Sequence, residues 1–267
     1  MKSVLLILSV IFVFSLILTG YTQAVDMKTA FLIYTFEEGN GVNVKDQSGN
    51  GNDGVITGAN AKWVNGKIGG GLTLAGANHS IKSVTTNGVG KTFFSECIWA
   101  NFADLATEQQ FGYIKCAETA SARYFYFSSW CSLGAPNDAL HCGTLDKAGA
   151  WGRGLSAPRL FKTKQWYHIA GVIDTKNGFI RVYVDGAMAL EQKIDTGDTP
   201  GVPKEIWVGG SSENYQWING TIDEVAMFNV ALTEADINTI MKDGVGKAKA
   251  VQSAGKLPVA WALLKSR

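Results

Sequence analysis

Two adjacent carboxylates, Asp223 and Glu224, lie inside an apolar and β-branched run that extends from Asn219 to Phe228. Glycoside hydrolases use two carboxyl groups that face one cleft. The two groups are about 5–5.5 Å apart in retaining enzymes and further apart in inverting ones. The run predicts a β-strand, in which neighbouring residues point to opposite faces of the sheet. Asp223 and Glu224 therefore do not form such a pair, and we expect no catalytic centre here.

The other candidates for acid–base catalysis are the three histidines, His79, His141 and His168. His168 lies within a predicted strand, which favours a place in the core over a role as general base. A serine nucleophile on a sharp strand-to-helix turn is marked by G-x-S-x-G, and the sequence contains no such motif. We predict that the protein is not an enzyme, with a glycoside hydrolase or lyase as an alternative.

The loop from Asp46 to Gly54 is rich in the side-chain oxygens that a hard cation prefers. Calcium takes about six to eight oxygen ligands. Asp46, Asn52 and Asp53 could supply three of them, and Asp223 could add one from the far end of the chain. In the competing interpretation, these side chains bond their own backbone in successive turns. Structural calcium is the one cofactor that we expect, and both interpretations remain open.

Four cysteines, Cys97, Cys116, Cys131 and Cys142, are confined to the middle of the chain. In an exported protein such a set predicts two disulfides, and the sequence does not choose among the possible pairings. A zinc site is the alternative, but the sequence has no C-x-x-C pair and only His141 nearby.

The N-terminus is typical of an export signal. Lys2 precedes an apolar run from Val4 to Leu18, and small residues follow at Thr22-Gln23-Ala24. We expect residues 1–24 to be removed and the mature protein to be secreted or held at the cell surface. One domain should then comprise residues 25–244. The Lys-, Ala- and Gly-rich segment 245–267 should form a flexible tail, with an apolar end too short to span a membrane.

The charge balance limits the classes of partner that the protein could bind, and the glycine content limits the classes of fold. The chain has 24 Lys and Arg against 23 Asp and Glu, a net charge of +1, which provides no electrostatic attraction for nucleic acid. Its 31 glycines and 5 prolines suit many short strands joined by tight turns. Asn177-Gly178 and Asp185-Gly186 predict hairpins, and Thr233 predicts the N-cap of one short helix near the C-terminus. We expect an all-β fold.

Five stretches follow one another in the order found in a known family of exported domains. They are DQSGNGNDG at 46–54, WYHIAGV at 166–172, VYVDG at 182–186, GTIDEV at 220–225 and ALTEADI at 231–237. Through them the chain resembles the laminin-G-like branch of the concanavalin A-like lectin/glucanase sandwiches. The resemblance implies a jelly roll of two antiparallel sheets, often with structural calcium, that binds glycans or extracellular proteins. It does not imply catalysis, because this branch lacks the acid spacing of the glucanases.

We therefore predict an exported, non-catalytic binding module for carbohydrate or adhesion. Loops on a rigid sandwich are the usual place for binding residues. The loop side chains that could stack on sugar rings or bond hydroxyls are Trp151, Arg153, Asn214, Tyr215 and Trp217. Trp217 could equally anchor the start of the strand that follows it. A structural or protein-interaction domain of the cell envelope is the alternative function.

Overall fold

The computed structural model of the chain describes residues 25–76, 78–105, 109–116, 123–130, 139–146, 148–150, 153–158, 161–212 and 217–247. The predicted signal segment 1–24 and most of the predicted tail lie outside these residues. Within the described part of the chain, no helix is long and apolar enough to cross a membrane.

Sixteen strands run through the described residues. The first eight are β1 (Ala30–Tyr34), β2 (Asn43–Val44), β3 (Gly54–Thr57), β4 (Lys62–Asn65), β5 (Gly70–Ala75), β6 (Ser80–Ser83), β7 (Phe93–Phe102) and β8 (Gln109–Cys116). The other eight are β9 (Arg123–Trp130), β10 (Ala139–Thr144), β11 (Arg153–Pro158), β12 (Trp166–Asp174), β13 (Phe179–Val184), β14 (Ala187–Lys193), β15 (Pro203–Val208) and β16 (Asn219–Phe228). A 3₁₀ turn (Met27–Thr29) precedes β1, and the α-helix α1 (Glu234–Asp243) follows β16.

The strands form two antiparallel sheets of eight strands each. The first sheet has the order β14-β13-β12-β7-β16-β5-β4, with β1 also paired to β16. The second has the order β11-β10-β9-β8-β15-β6-β3-β2. The predicted hairpins at 177–178 and 185–186 join β12 to β13 and β13 to β14. The prediction of an all-β, two-sheet antiparallel jelly-roll sandwich is confirmed.

Aromatic side chains fill the space between the two sheets. Successive strand residues point to opposite faces, so alternate residues of each strand turn inward. Phe94 stacks on Phe125 with ring centroids 5.8 Å apart. Phe111 contacts Phe102 at 6.1 Å and Phe127 at 5.1 Å. All five rings are buried, so the dense aromatic runs build the sandwich core.

Helix α1 and the residues before β1 cover the outer face of the first sheet. The buried side chains of this outer cluster are Val25, Met27, Ala30, Ile33, Cys97, Ala170, Val172, Tyr183, Ala226, Phe228, Leu232, Ile237, Ile240 and Val245. The Thr233 hydroxyl accepts a 3.2 Å hydrogen bond from the Asp236 N–H, and the Asp236 carboxylate accepts one of 2.9 Å from the Thr233 N–H. This capping box fixes the start of the helix. Because Val245 is buried, the packed chain extends beyond residue 244.

The described cysteines, Cys97, Cys116 and Cys142, are buried, and no disulfide joins any two of them. Cys131 lies outside the described residues. Cys97 packs in the outer cluster, whereas Cys116 and Cys142 face the space between the sheets. Strand β9 separates Cys116 on β8 from Cys142 on β10. Two strand spacings of about 4.8 Å exceed the roughly 7 Å between Cα atoms that a disulfide tolerates.

Candidate functional site

A cleft of about 220 Å³ opens where β3 ends, β6 begins and β15 ends. We call it the Trp cleft. Its lining residues are Thr57, Asn78, His79, Ser80, Trp207, Gly210, Ser211 and Trp217. Two indoles, three hydroxyls, an amide and an imidazole therefore converge from separate segments of the chain.

Thr57 and Ser80 form the floor of the Trp cleft. They are register partners across β3 and β6. Their strand neighbours Ile56 and Ile81 face the core, so the two polar residues point outward. The Thr57 and Ser80 hydroxyl oxygens are 2.7 Å apart, and the Thr57 hydroxyl donates to the Asn78 carbonyl at 3.2 Å. The floor is thus tied to the turn that precedes β6.

Trp207 forms one wall, because its strand neighbours Ile206 and Val208 are buried in the core and its half-buried indole points outward. The indole N–H donates to the Glu205 carboxylate at 3.0 Å, and Lys82 Nζ lies 4.9 Å from the ring centroid. Lys82 and Glu205 also form an ion pair of 2.7 Å. Burial raises the pKa of Glu205, but hydrogen bonds from Lys82 and Trp207 outweigh it and lower the pKa overall. This brace fixes the indole before any ligand binds.

The turn before β6 supplies Asn78 and His79. His79 Nε2 accepts a 3.1 Å hydrogen bond from the Asn60 N–H, which assigns the ring proton to Nδ1, 3.3 Å from the Gly76 carbonyl. Both nitrogens are therefore used to orient the ring. Asn78 has φ +64°, a left-handed conformation that Asn tolerates better than most residues. Its side chain is exposed, and its amide makes no hydrogen bond within the described chain.

Trp217 forms the opposite wall. It makes an isolated β-bridge to Gly210. The next residue, Ile218, donates to the Gly209 carbonyl at 2.8 Å and accepts from the Gly76 N–H at 3.2 Å. A Cβ at Gly76 would lie 3.7 Å from the Trp217 Cδ1 and Nε1 atoms. The half-buried indole therefore packs directly beside the turn that carries Asn78.

One of the ligand-binding residues predicted from the sequence, Trp217, lies in the Trp cleft. Trp151, Asn214 and Tyr215 fall outside the described residues. The prediction missed Trp207, because a tryptophan between apolar strand neighbours resembles a core residue. Its alternation with Ile206 and Val208 was the available signal.

Arg153 is buried, which corrects its prediction as a ligand contact on an open loop. It is 1% exposed at the start of β11. Its Nε and Nη2 donate to the Asp195 carboxylate at 2.7 and 3.2 Å, and its Nη1 donates to the Leu145 carbonyl at 3.1 Å. A buried guanidinium needs such paired hydrogen bonds. Arg153 therefore holds two loops together.

The loop proposed to bind calcium is closed by hydrogen bonds to its own backbone and to β1. The Asp46 carboxylate accepts from the N–H groups of Ile33 at 3.0 Å, Ser48 at 2.8 Å and Asn52 at 2.9 Å. Asn52 is buried and its amide donates to the Phe31 carbonyl at 2.7 Å. This is the turn chemistry that the sequence left as the competing interpretation.

Asp53 and Asp223 complete the predicted calcium ligands but lie in different networks. Asp53 pairs with exposed Lys45, and the hydrogen bond from that ammonium holds the pKa of Asp53 below its ordinary value. Asp223 contacts the turn between β4 and β5 instead. Among the described residues, no group of three or more His, Cys, Asp or Glu side chains could hold a metal ion. The calcium site stays a prediction from the sequence.

The two carboxylates that first suggested catalysis, Asp223 and Glu224, both accept hydrogen bonds from backbone amides. Asp223 accepts from Lys67 at 2.9 Å, Ile68 at 2.8 Å and Glu224 at 2.7 Å. Burial raises the pKa of Asp223 to about 7, although these amides lower it. Glu224 accepts from the Val245 N–H just after α1, and burial raises its pKa as well. The pair therefore fastens two distant segments to β16.

A β-bulge separates the two acids. The register of β16 against β7 shifts between Asp223 and Ala226, and Glu224 has φ +50°. An extra residue in one strand interrupts the alternation of faces. Ile222 and Val225 consequently both face the core. The expectation of simple alternation through this strand was therefore wrong at Glu224.

Two further titratable side chains are buried away from the Trp cleft. Glu96 on β7 points between the sheets toward Gly112, and neither of its carboxyl oxygens has a hydrogen-bond partner among the described residues. Burial raises the pKa of Glu96 well above its ordinary value. His168 packs against Trp99 with ring centroids 5.2 Å apart, and burial lowers its pKa to about 3. His168 is thus a neutral core residue.

The strand order and the packed aromatic core define a jelly-roll β-sandwich. The laminin-G family model described as the concanavalin A-like lectin/glucanases superfamily matches residues 75–238, more than half of the chain. The chain belongs to this superfamily.

Solved structures share the fold at low sequence identity. Domain 4 of AbnA, a GH43 extracellular arabinanase from Geobacillus stearothermophilus, in complex with arabinotriose, is 21% identical with a TM-score of 0.59. The alignment covers 80% of this chain and 98% of that domain. The ligand binding domain of botulinum neurotoxin serotype D, in complex with N-acetylneuraminic acid, is 17% identical with a TM-score of 0.58. That alignment covers 81% of this chain and 51% of the other.

Among curated proteins, the chain is similar to C-reactive protein of Mesocricetus auratus. The two are 26% identical over 138 residues, which is 48% of this chain. The match spans 61% of the length of that relative.

Proposed function

We propose that the protein is a non-catalytic carbohydrate-binding module and that the Trp cleft is its binding site. The observation that carries the proposal is the convergence of two half-buried indoles, Trp207 and Trp217, over a floor of hydroxyl groups. Small-molecule sites are typically concave, with aromatic walls and a few placed polar groups. An indole offers an apolar surface to the C–H face of a sugar ring, while hydroxyls and amides bond the sugar's edge.

The surroundings of the acids support a binding role over a catalytic one. The Asp223 and Glu224 carboxylates are buried against backbone amides, so neither is placed to protonate a leaving group or to activate water. Two domains with this fold carry a bound arabinotriose and a bound N-acetylneuraminic acid. Their ligands support a glycan as the partner of this chain.

A glycan array probed with the purified chain tests the proposal, with the best ligand then measured by calorimetry. We expect Trp217→Ala to weaken binding by roughly tenfold or more, because a tryptophan at the centre of a site often contributes over 1.4 kcal/mol. The matched control is Trp63→Ala. Trp63 is also half-buried, but it lies on β4 of the other sheet and donates to the Gly41 carbonyl at 2.9 Å.

If the Trp217→Ala and wild-type chains bind every array ligand with equal affinity, the Trp cleft is not the binding site. An array without any ligand, together with capture of an extracellular protein, would favour the protein-interaction alternative. Melting temperatures of both variants establish that each is folded.

We further infer that the protein is exported. The charged Lys2, the apolar run from Val4 to Leu18 and the small residues before Val25 support this inference. Expression in a secreting host should yield a chain that begins at Val25. N-terminal sequencing of the released protein tests this, and a retained Met1 would contradict it.

A further inference from the structure

The polar groups of the Trp cleft and the ion pair beside it determine which kind of sugar the cleft can bind. We propose that the Trp cleft accepts a single uncharged sugar ring, the end unit of a neutral glycan, in preference to an acidic sugar. This inference rests on the proposed function and names the ligand class of the same site.

The lining offers uncharged hydrogen-bonding groups. Thr57, Ser80 and Ser211 present hydroxyls, and Asn78 presents an exposed amide. The Thr57 and Ser80 protons are already used within the floor, so these two oxygens can accept from a sugar hydroxyl, and the Asn78 amide can both donate and accept. The His79 ring is already held through both nitrogens and serves as a fixed wall.

The charged groups that contact Trp207 are engaged with each other. Lys82 and Glu205 form a 2.7 Å ion pair, and Glu205 also accepts the Trp207 indole N–H at 3.0 Å. An acidic sugar in the cleft would need a cation to offset the loss of water around its carboxylate. Recruiting Lys82 for that purpose would disrupt its 2.7 Å ion pair with Glu205. A neutral ring makes no such demand.

The size of the cleft limits the ligand to about one ring. Its volume of about 220 Å³ lies below the range of roughly 300–1,000 Å³ that is typical of pockets for drug-sized ligands. The turn carrying Asn78 and His79 closes one side, and the bridge between Gly210 and Trp217 closes another. Further sugar units would therefore lie beyond this lining, gain few contacts with the described residues and add little affinity.

Titration calorimetry of the full chain with paired saccharides tests the inference. One set consists of neutral monosaccharides and trisaccharides of glucose, galactose and arabinose, and the other of counterparts ending in a uronic or sialic acid. We expect the neutral ligands to bind more tightly, with less than about twofold change between roughly 50 mM and 500 mM NaCl, because uncharged contacts are not screened. Lengthening the ligand from one ring to three should improve affinity by less than about threefold.

Two variants assign the binding to the cleft. Trp217→Ala should weaken binding by roughly tenfold or more. Asn78→Gly removes the amide, and glycine tolerates the positive φ, so this variant reports on the site even where Trp217→Ala fails to fold. We expect a loss of about threefold to tenfold from this single hydrogen-bonding group. Trp63→Ala remains the unchanged control.

Three results would overturn the inference, and they differ in what else they affect. Tighter binding of the acidic ligands, lost in Trp217→Ala, would leave the proposed function intact but reverse the charge preference. If lengthening the ligand to three rings raises the affinity by more than about tenfold, and Trp217→Ala abolishes this gain, the site is an extended one and not a single-ring site. Saccharide binding insensitive to both cleft variants would overturn the proposed site itself.

Discussion

The carboxylate of Asp223 on β16 accepts a 2.8 Å hydrogen bond from the backbone N–H of Ile68, in the turn between β4 and β5. The same oxygen accepts from the adjacent N–H of Lys67 at 2.9 Å. These hydrogen bonds attach the turn between β4 and β5 to β16, a strand that comes much later in the sequence. A residue type associated with catalysis therefore acts here as an acceptor for two backbone donors.

Asp223→Asn should lower the free energy of unfolding by about 1–3 kcal/mol, because one oxygen becomes an NH₂ group that cannot accept a hydrogen bond. Urea unfolding at neutral pH measures the loss. Glu191→Gln is the matched control, since Glu191 forms a partly exposed ion pair with Arg181, and exposed pairs contribute about 0–1 kcal/mol. A loss for Asp223→Asn no larger than that of the control would contradict the bracing role.

Glu96→Gln should remove a fall in stability that begins as pH rises through the ordinary carboxyl pKa of 4.5. Burial raises the pKa of Glu96 in the folded chain, so the folded state keeps a proton that the unfolded state releases. The stability contribution is complete below the ordinary pKa of 4.5 and is lost as pH rises, with a slope approaching ~1.4 kcal/mol per pH unit. Asp223 acts in the same direction only up to its pKa of about 7.

Urea unfolding of the wild type and Glu96→Gln, from about pH 5 to pH 9, checks this effect. The two curves should diverge as pH rises, with the variant becoming relatively more stable. Parallel curves across the range would mean that Glu96 does not retain its proton in the folded state.

Cys97, Cys116 and Cys142 should resist alkylation in the folded chain and react once it is unfolded. All three thiols are buried, and burial raises the pKa of Cys97 and Cys142, which lowers the fraction of reactive thiolate. Mass spectrometry of iodoacetamide-treated protein, without reducing agent, gives the label at each position. Unlabelled cysteines in the denatured chain, released only by reductant, would show disulfides instead.

Calcium remains a proposal for the loop at 46–53, with Asp53 as its most accessible ligand. We expect the melting temperature to rise in calcium and to fall in EDTA, and this difference to disappear in Asp53→Asn. The reason is that an Asp53 released from exposed Lys45 can turn toward a cation. Identical melting temperatures in calcium and EDTA would count against the site.

Local signals in the sequence predicted much of the fold. Asn177-Gly178 and Asp185-Gly186 marked two hairpins because few other residues tolerate the backbone of such tight turns. Thr233 marked the start of the helix through its hydroxyl, and Asp236 completed the capping box. Each signal depends on residues close together in the chain, so its physical cause is visible in the sequence.

The Trp cleft and the bulge depend on long-range pairing, which is why the sequence did not predict them. Thr57, Ser80 and Trp207 become neighbours only through the strand order β3-β6-β15. The bulge places two residues of β16, Glu224 and Val225, opposite the single residue Ile98 of β7, a pairing that only the partner strand reveals. The sequence therefore supplied Trp217 as a candidate but could not supply the wall opposite it.

The late position of β16 in the chain has a consequence for the kinetics of folding. This strand lies between β7 and β5 and also pairs with β1, so the first sheet stays open until residues 219–228 have been synthesised. Contacts between distant segments require the closure of long loops and slow the folding of a chain. We therefore expect the first sheet to close only after residues 219–228 have left the ribosome.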